Sequence, residues 1–298
     1  MAVEIYIFDL DGVIINSGED IADSVNASLK NFGYWNVDTQ KIISFIGDGE
    51  KKLILRSLKE STKNKFDEST EYNKKQLEDI QKFYHEYYLS HCVVKTYLYA
   101  GIKELLRVLK KKKKYTVILS NKSVDCARFI LNKLNVLSFF DLVIGGNSVD
   151  FNNNVIPLKP SVDGIQFAID YINKVYNQNF INKNCILFGD SAQDIITGKK
   201  IGCLTVEIRG GLGNKEELYK QNADLSFSVA SEIEKFIDTL SEDVQKNTIM
   251  IQAMKNEVPV IQDEGSNFIC KYIKDNNVKS ILEIGTAIGF SSIKFAKL

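Results

Sequence analysis

Phe8-Asp9-Leu10-Asp11-Gly12 closes the first apolar run of the chain, Val3 to Phe8. The run is short, β-branched and aromatic, and it ends in Asp and Gly, which predicts a buried parallel strand. Three further segments follow in order: Leu119-Ser120-Asn121-Lys122, Leu158-Lys159-Pro160 and Gly189-Asp190-Ser191-Ala192-Gln193-Asp194. Each follows an apolar strand-like run or lies in a loop near one, so all four are expected at one end of one sheet. Together they form an acidic, hydroxyl- and lysine-bearing set suited to phosphoryl transfer, which needs a nucleophile, an acid, a phosphate cradle and a metal close together.

Outward from the first strand, residues from Asn16 to about Tyr97 show helical patterns only. Ile21, Val25, Ser28, Leu29 and Phe32 share one helix face closed by Gly33, and Glu71 to Leu89 is a second long helical stretch. Strands and helices then alternate: helix Ile102 to Lys112, strand Thr116 to Leu119, helix Val124 to Leu134, strand Leu142 to Ile144. A hairpin is expected through Asn152-Asn153-Asn154, then helix Val162 to Val175, strand Cys185 to Phe188, helix Ile195 to Ile201 and strand Leu204 to Ile208. This order predicts an α/β fold with a doubly wound, Rossmann-like parallel sheet, whose ligands sit at the carboxyl ends of strands. The expected domains are a core of residues 1–15 and 97–240, a helical cap of residues 16–96, and a partial α/β segment of residues 241–298.

Composition narrows the class. Lys+Arg and Asp+Glu are 38 each among 298 residues, which gives no global reason to expect nucleic acid or membrane partners. Five cysteines, at 92, 126, 185, 203 and 270, form no CxxC pair, so neither a disulfide framework nor a zinc site is expected and a reduced cytoplasmic setting fits. The amino terminus has no basic segment of the signal-peptide kind, and no apolar run reaches membrane-spanning length. The lysine run 110–114 suits a helix C-terminus better than a nucleic-acid site. His85 and His91 lack clustered ligands in the sequence, and the oligomeric state is left open.

Phosphate monoesters hydrolyse very slowly unaided, so such a site must stabilise developing charge strongly. Asp9, at the strand end, is the expected nucleophile, forming an aspartyl-phosphate. Asp11 follows where the turn at Gly12 can bring it over the same centre, as acid toward the leaving alkoxide and then base toward water, a contribution of about 10²–10⁴-fold. Asp190 and Asp194 are spaced i, i+4 at a strand end and helix start, and a plain helix N-cap role is the alternative for both. Like carboxylates about 4 Å apart repel by roughly 4 kcal/mol per pair at an effective dielectric of 20, and a divalent cation relieves this. All-oxygen ligands at a phosphoryl site favour Mg²⁺. Ser120, Asn121 and the following amides lie where a strand turns into a helix, a place suited to phosphate oxygens. Lys159 would neutralise charge as a point cation.

These segments resemble the haloacid dehalogenase superfamily, and within it the phosphoglycolate phosphatase-like branch, over roughly residues 3–240. The resemblance implies Asp9 as nucleophile and metal ligand, Asp11 as acid/base with its carbonyl on Mg²⁺, and Ser120 and Lys159 as phosphate binders. It places Asp190 on the metal, with Asp194 on it or beside it, and Asn121 and Gly12 in the substrate cradle. Dehalogenases of the superfamily lack the second aspartate, so Asp11 points to phosphate chemistry. Two positions depart from the usual pattern: Ser120 replaces a commoner threonine, and Asn16 stands where many relatives have aspartate. Phe45-Ile46-Gly47-Asp48-Gly49 resembles the glycine turn that a helical cap points at the site. Lys51, Lys52 and Arg56 beyond it could meet a substrate carboxylate or form a solvated face.

The implied activity is hydrolysis of a small phosphorylated metabolite, phosphoglycolate first. A phosphomutase of the β-phosphoglucomutase type shares the same motifs and is the alternative. Near the end, Ser280 to Gly289, with Glu283, Gly285 and Gly289, is similar to the cofactor loop of class I O-methyltransferases that use S-adenosylmethionine. One strand and its neighbouring helices cannot enclose a cofactor, so this incomplete methyltransferase-like segment is expected to be either the clipped start of a fused second enzyme, in a bifunctional protein whose remainder is missing, or a remnant that packs on something else, with no methyl transfer by this chain.

Overall fold

Ile5–Phe8 forms strand β1, and its four side chains alternate between the two faces of a sheet that is buried on both sides. Ile5 and Ile7 join Val117, Leu119, Leu187, Ile165 and Ile169 in one apolar cluster. Tyr6 and Phe8 stack on Phe188 on the opposite face, the latter pair with ring centroids 4.6 Å apart. Burial on both faces is why the run reads as continuously apolar rather than alternating. The computed structural model describes residues 2–237 and 240; within it Val3–Glu234 form one compact unit.

After β1 the chain makes a two-residue strand β2 (Ile15–Asn16) and four helices: α1 (Gly18–Asn31), α2 (Thr39–Ile43), α3 (Glu50–Ser61) and α4 (Glu71–His91). It returns through β3 (Tyr97–Leu98), which pairs antiparallel with β2. That ribbon is too short to show a period, and the sequence does not predict it. Asp20 of α1 fastens the returning segment. Its buried carboxylate accepts from the amides of Val94, Lys95 and Thr96 at 2.8–3.0 Å and from Thr96 Oγ1 at 2.7 Å. In α4, Leu77, Ile80, Tyr84 and Tyr88 are the buried residues, at i, i+3, i+7 and i+11, so this helix packs along one stripe.

The core continues with α5 (Ile102–Lys111), β4 (Tyr115–Ser123), α6 (Val124–Lys133), β5 (Leu142–Gly146), α7 (Asp163–Tyr176), β6 (Cys185–Gly189), α8 (Ala192–Ile201), β7 (Leu204–Ile208), α9 (Lys215–Tyr219) and β8 (Leu225–Phe227). The sheet order is β5-β4-β1-β6-β7-β8, and every pairing in it is parallel. The fold is therefore the doubly wound α/β sheet that the alternation predicts, with a helical insertion. β4 is longer than its apolar stretch. Ser120 to Ser123 carry it through a register shift against β5, where polar side chains face the site rather than the core. α9 and β8 have no periodic signal in the sequence. The expected hairpin is a single antiparallel bridge, Val149 to Val155. Among the described residues no helix is long and apolar enough to cross a membrane. The methyltransferase-like reading of 241–298, with Glu283, Gly285 and Gly289, falls outside the described residues.

Candidate active site

Three adjacent strands, β4, β1 and β6, deliver the site from their carboxyl ends. Asp9 follows β1 directly, and its amide donates to the Phe188 carbonyl of β6 at 2.9 Å, so the ladder extends to the side chain that matters. Asp190 follows β6, and Ser120 sits inside the extended end of β4. The register sets Asp190 and Ser120 one residue beyond the positions level with Asp9 on strands about 4.8 Å apart, so all three lie close together at the carboxyl end of the sheet. Asp9, Asp190 and Asp194 present carboxylate oxygens that all lie within 4.8 Å of one another, and all three are buried.

Lys159 is the cation at the centre. Its Nζ lies 3.0 Å from Asp9 Oδ1 and 2.6 Å from Asp194 Oδ1, with only 2 % of its side chain exposed. Burial alone pushes its ammonium down, yet Asp194 and Asp9 more than offset this, so it stays charged, its pKa above the ordinary lysine value. Asn121 sets its position: Oδ1 accepts from the Lys159 amide at 2.9 Å, while Nδ2 donates to the carbonyls of Lys159 at 3.2 Å and Gly47 at 2.9 Å. Asn121 thus commits its side chain to holding Lys159 and to reaching the glycine turn between α2 and α3.

Asp194 has both oxygens engaged. Oδ1 takes Lys159, and Oδ2 accepts from the amide (3.1 Å) and hydroxyl (2.6 Å) of Ser191, which begins α8. It is a helix-start residue and a partner of the site lysine at once. Asp190 Oδ2 accepts from the amides of Leu212 and Gly213 at 2.6 and 2.9 Å. The Gly210-Gly211-Leu212-Gly213 loop after β7 can lie this close because a Cβ at Gly211 would come within 2.3 Å of Asp190. This loop has no expected role from the motifs, although a glycine-rich run directly after a core strand is a signal for close backbone approach.

Asp11 lies in the loop after β1. Ser17 Oγ donates to its Oδ1, and its Oδ2 is 3.3 Å from Lys122 Nζ. Lys122 is buried, donates to the Tyr88 hydroxyl at 2.9 Å and lies 4.4 Å from the Tyr88 ring centre. Burial lowers its pKa but Asp11 and neighbouring groups raise it further, so the net direction is upward. Lys122 closes the second motif segment, and its sequence context alone assigns it no task.

Gly12 is required by space as well as conformation. Its φ is +80°, and a Cβ there would lie 1.7 Å from Asp190 Oδ2. Gly12→Ala should cost about 1–3 kcal/mol, read as a lowered midpoint in thermal unfolding with weakened phosphate release. A wild-type midpoint would contradict this packing.

The charges do not balance. Asp9, Asp11, Asp190 and Asp194 face Lys122 and Lys159, which leaves two negative charges in excess. Burial pushes the Asp9 carboxyl up to about 7, with Lys159 opposing and Asp194 and Asp11 adding to the rise. Burial, then Asp9 and Asp194, push Asp190 well above the usual carboxylate range, against the amides of Gly213 and Leu212. Asp9 Oδ2 and Asp190 Oδ1 carry no hydrogen bond among the described residues. An all-oxygen donor set with this charge excess fits a hard divalent cation.

The cavity above these groups is about 40 Å³, room for only a few waters. Its floor is Asp9, Asp11, Ser120 and Asp190; Ile21, Ile46, Gly47, Glu50, Leu53 and Tyr84 of the helical insertion roof it. Lys51, Lys52 and Arg56 do not line it. Lys52 lies 3.9 Å from Asp48, and Arg56 donates to the same carboxylate at 2.5 Å and to the Phe45 carbonyl at 3.3 Å.

The chain is 30% identical over 215 residues to a phosphoglycolate phosphatase of Neisseria gonorrhoeae, covering 71% of this chain and 82% of that protein. It is 29% identical over 220 residues to one of Haemophilus influenzae, covering 74% and 92%. The crystal structure of a predicted phosphoglycolate phosphatase from Haemophilus somnus superimposes with a TM-score of 0.68 at 24% identity, covering 78% of this chain and 97% of that one, a likeness of fold. A profile described as haloacid dehalogenase-like hydrolase matches residues 6–208, more than half the chain, and the protein belongs to that family.

Proposed function

We propose that the chain is a Mg²⁺-dependent phosphatase that hydrolyses a small phosphate monoester through an aspartyl-phosphate on Asp9. The observation that carries this reading is the buried Asp9 and Asp190 at the carboxyl ends of adjacent strands, with Lys159 reaching Asp9 from the loop between β5 and α7, together with the unbalanced negative charge. Asp9 Oδ2, to which no described residue donates, attacks phosphorus. Lys159 holds Asp9 in place and offsets the charge gathering on the phosphoryl oxygens. Ser120 lies where its hydroxyl and the amides beyond it can receive those oxygens. Asp11, oriented by Ser17 and Lys122, gives its proton to the leaving alkoxide and then takes one from the water that opens the intermediate. Mg²⁺, held by Asp9, Asp190 and the Asp11 carbonyl with Asp194 beside them, would supply charge neutralisation to the transferring group. The roof formed by the helical insertion excludes bulk water, which strengthens each of these interactions.

The test is phosphate release from a panel of phosphate monoesters, with Mg²⁺ and with EDTA. EDTA should abolish release, and added Mg²⁺ should restore it and raise the thermal midpoint, because a ligand that binds only the folded form stabilises it by mass action. Activity indifferent to EDTA would sink the metal assignment. Isomerised product without free phosphate would select the phosphomutase reading instead.

A further inference from the structure

Glu50 begins α3 directly behind Gly49 and lines the same cavity as Asp9, Ser120 and Asp190. Its side chain is 25 % exposed, and its bonds are long. Ser123 Oγ donates to Oε1 at 3.2 Å, and His85 Nδ1 lies 3.4 Å from Oε2. His85 in turn is shared with Asp125, whose Oδ2 is 3.0 Å from Nε2, so any charge on the imidazole faces two carboxylates. Among the described residues the one ammonium lining the cavity is Lys122, already held by Asp11 and the Tyr88 hydroxyl. On the side of the helical insertion the cavity is thus lined by Ile46, Leu53 and Tyr84 around one part-exposed carboxylate whose contacts are long, with no uncommitted ammonium among the described residues.

Resting on the phosphatase reading, we propose that Glu50 is a specificity-determining residue, and that the substrate carries a hydrogen-bond donor, a hydroxyl or an ammonium, on the carbon skeleton near its phosphate. A carboxylated ester such as phosphoglycolate is disfavoured. Its second anion would be desolvated against the Glu50 carboxylate, and like charges brought together in this way cost much of the binding energy. A donor-bearing ester instead completes the acceptor that Ser123 and His85 satisfy poorly, and a site built around such a bond rejects analogues that cannot make it.

The test uses the full chain with Mg²⁺ and measures kcat/KM for glycerol 3-phosphate, phosphoethanolamine, 2-phosphoglycolate and phenyl phosphate, in wild type and in Glu50→Gln. Wild type should prefer the better of the first two over 2-phosphoglycolate by about tenfold or more, and which of them leads identifies the donor as hydroxyl or ammonium. Glu50→Gln should shrink that preference by about tenfold, because it removes the charge at constant size. A glutamate that serves only the start of α3 would alter the unfolding midpoint and leave the ratio alone. An unchanged ratio, or a wild type that favours 2-phosphoglycolate, overturns this proposal while phenyl phosphate hydrolysis keeps the phosphatase reading. No release from any ester overturns both.

Discussion

Asp9→Asn should reduce phosphate release by at least about 10⁴-fold, the scale on which removal of a covalent nucleophile acts. The substitution is nearly isosteric, and the Asn carbonyl oxygen can still accept from the Leu10 amide that Asp9 Oδ1 meets at 2.7 Å. Lys159 keeps its shorter contact with Asp194, so the buried ammonium is not stranded. One of the mutually repelling carboxylates is removed at the same time, so the metal-free variant should unfold at a midpoint no lower than wild type. Steady-state phosphate release and thermal unfolding on the same preparation separate lost chemistry from lost fold. A variant with turnover within tenfold of wild type would show that another group attacks phosphorus.

Lys159→Met is expected to have the largest effect on stability. It leaves Asp9 and Asp194 buried without the cation they share, and breaking a buried pair from one side costs about 3–5 kcal/mol. Equilibrium urea unfolding without metal measures this as a lower midpoint at unchanged slope. Adding Asp194→Asn to Lys159→Met should recover part of the loss, since the second change removes one stranded charge, and the cycle should give a coupling of about 0.5–3 kcal/mol. Strict additivity would mean that the 2.6 Å contact contributes nothing to folding. Phosphate release should be lost in both variants, because neither can offset charge at the transferring group.

Much of this was legible in the residues. β1 and β6 are unbroken apolar runs because both faces of their sheet are covered, and Asp9 and Asp190 follow at their carboxyl ends. The longer helices were legible from one apolar face each. What escaped has physical reasons too. β2 and β3 are two residues long, below any detectable period, and exist because Asp20 gathers the amides of Val94 to Thr96. β4 runs on through Ser120 to Ser123, where the polar residues serve the cavity. Lys122 reads as a surface lysine until Asp11 and Tyr88 are seen to enclose it. Asn121, expected at the phosphate, lines the cavity while its side chain bonds to Lys159 and Gly47. The cations of α3 could meet a substrate carboxylate or form a solvated face; Asp48 pairs with Lys52 and Arg56, and the α3 residue that lines the cavity beside Leu53 is the acid Glu50.

The paired β2 and β3 bring Asn16 and Tyr97 side by side, with Asn16 Nδ2 donating to the Tyr97 hydroxyl at 3.1 Å. Seen from the sheet, residues 17–96 therefore leave and return at one doorway, as a tight turn would. Away from that doorway the insertion can be lengthened or trimmed without moving Asp9 or Asp190, so long as Ser17 and Tyr88, which hold Asp11 and Lys122, keep their places. In this architecture the choice of molecule and the breaking of its bond can drift apart through separate mutations.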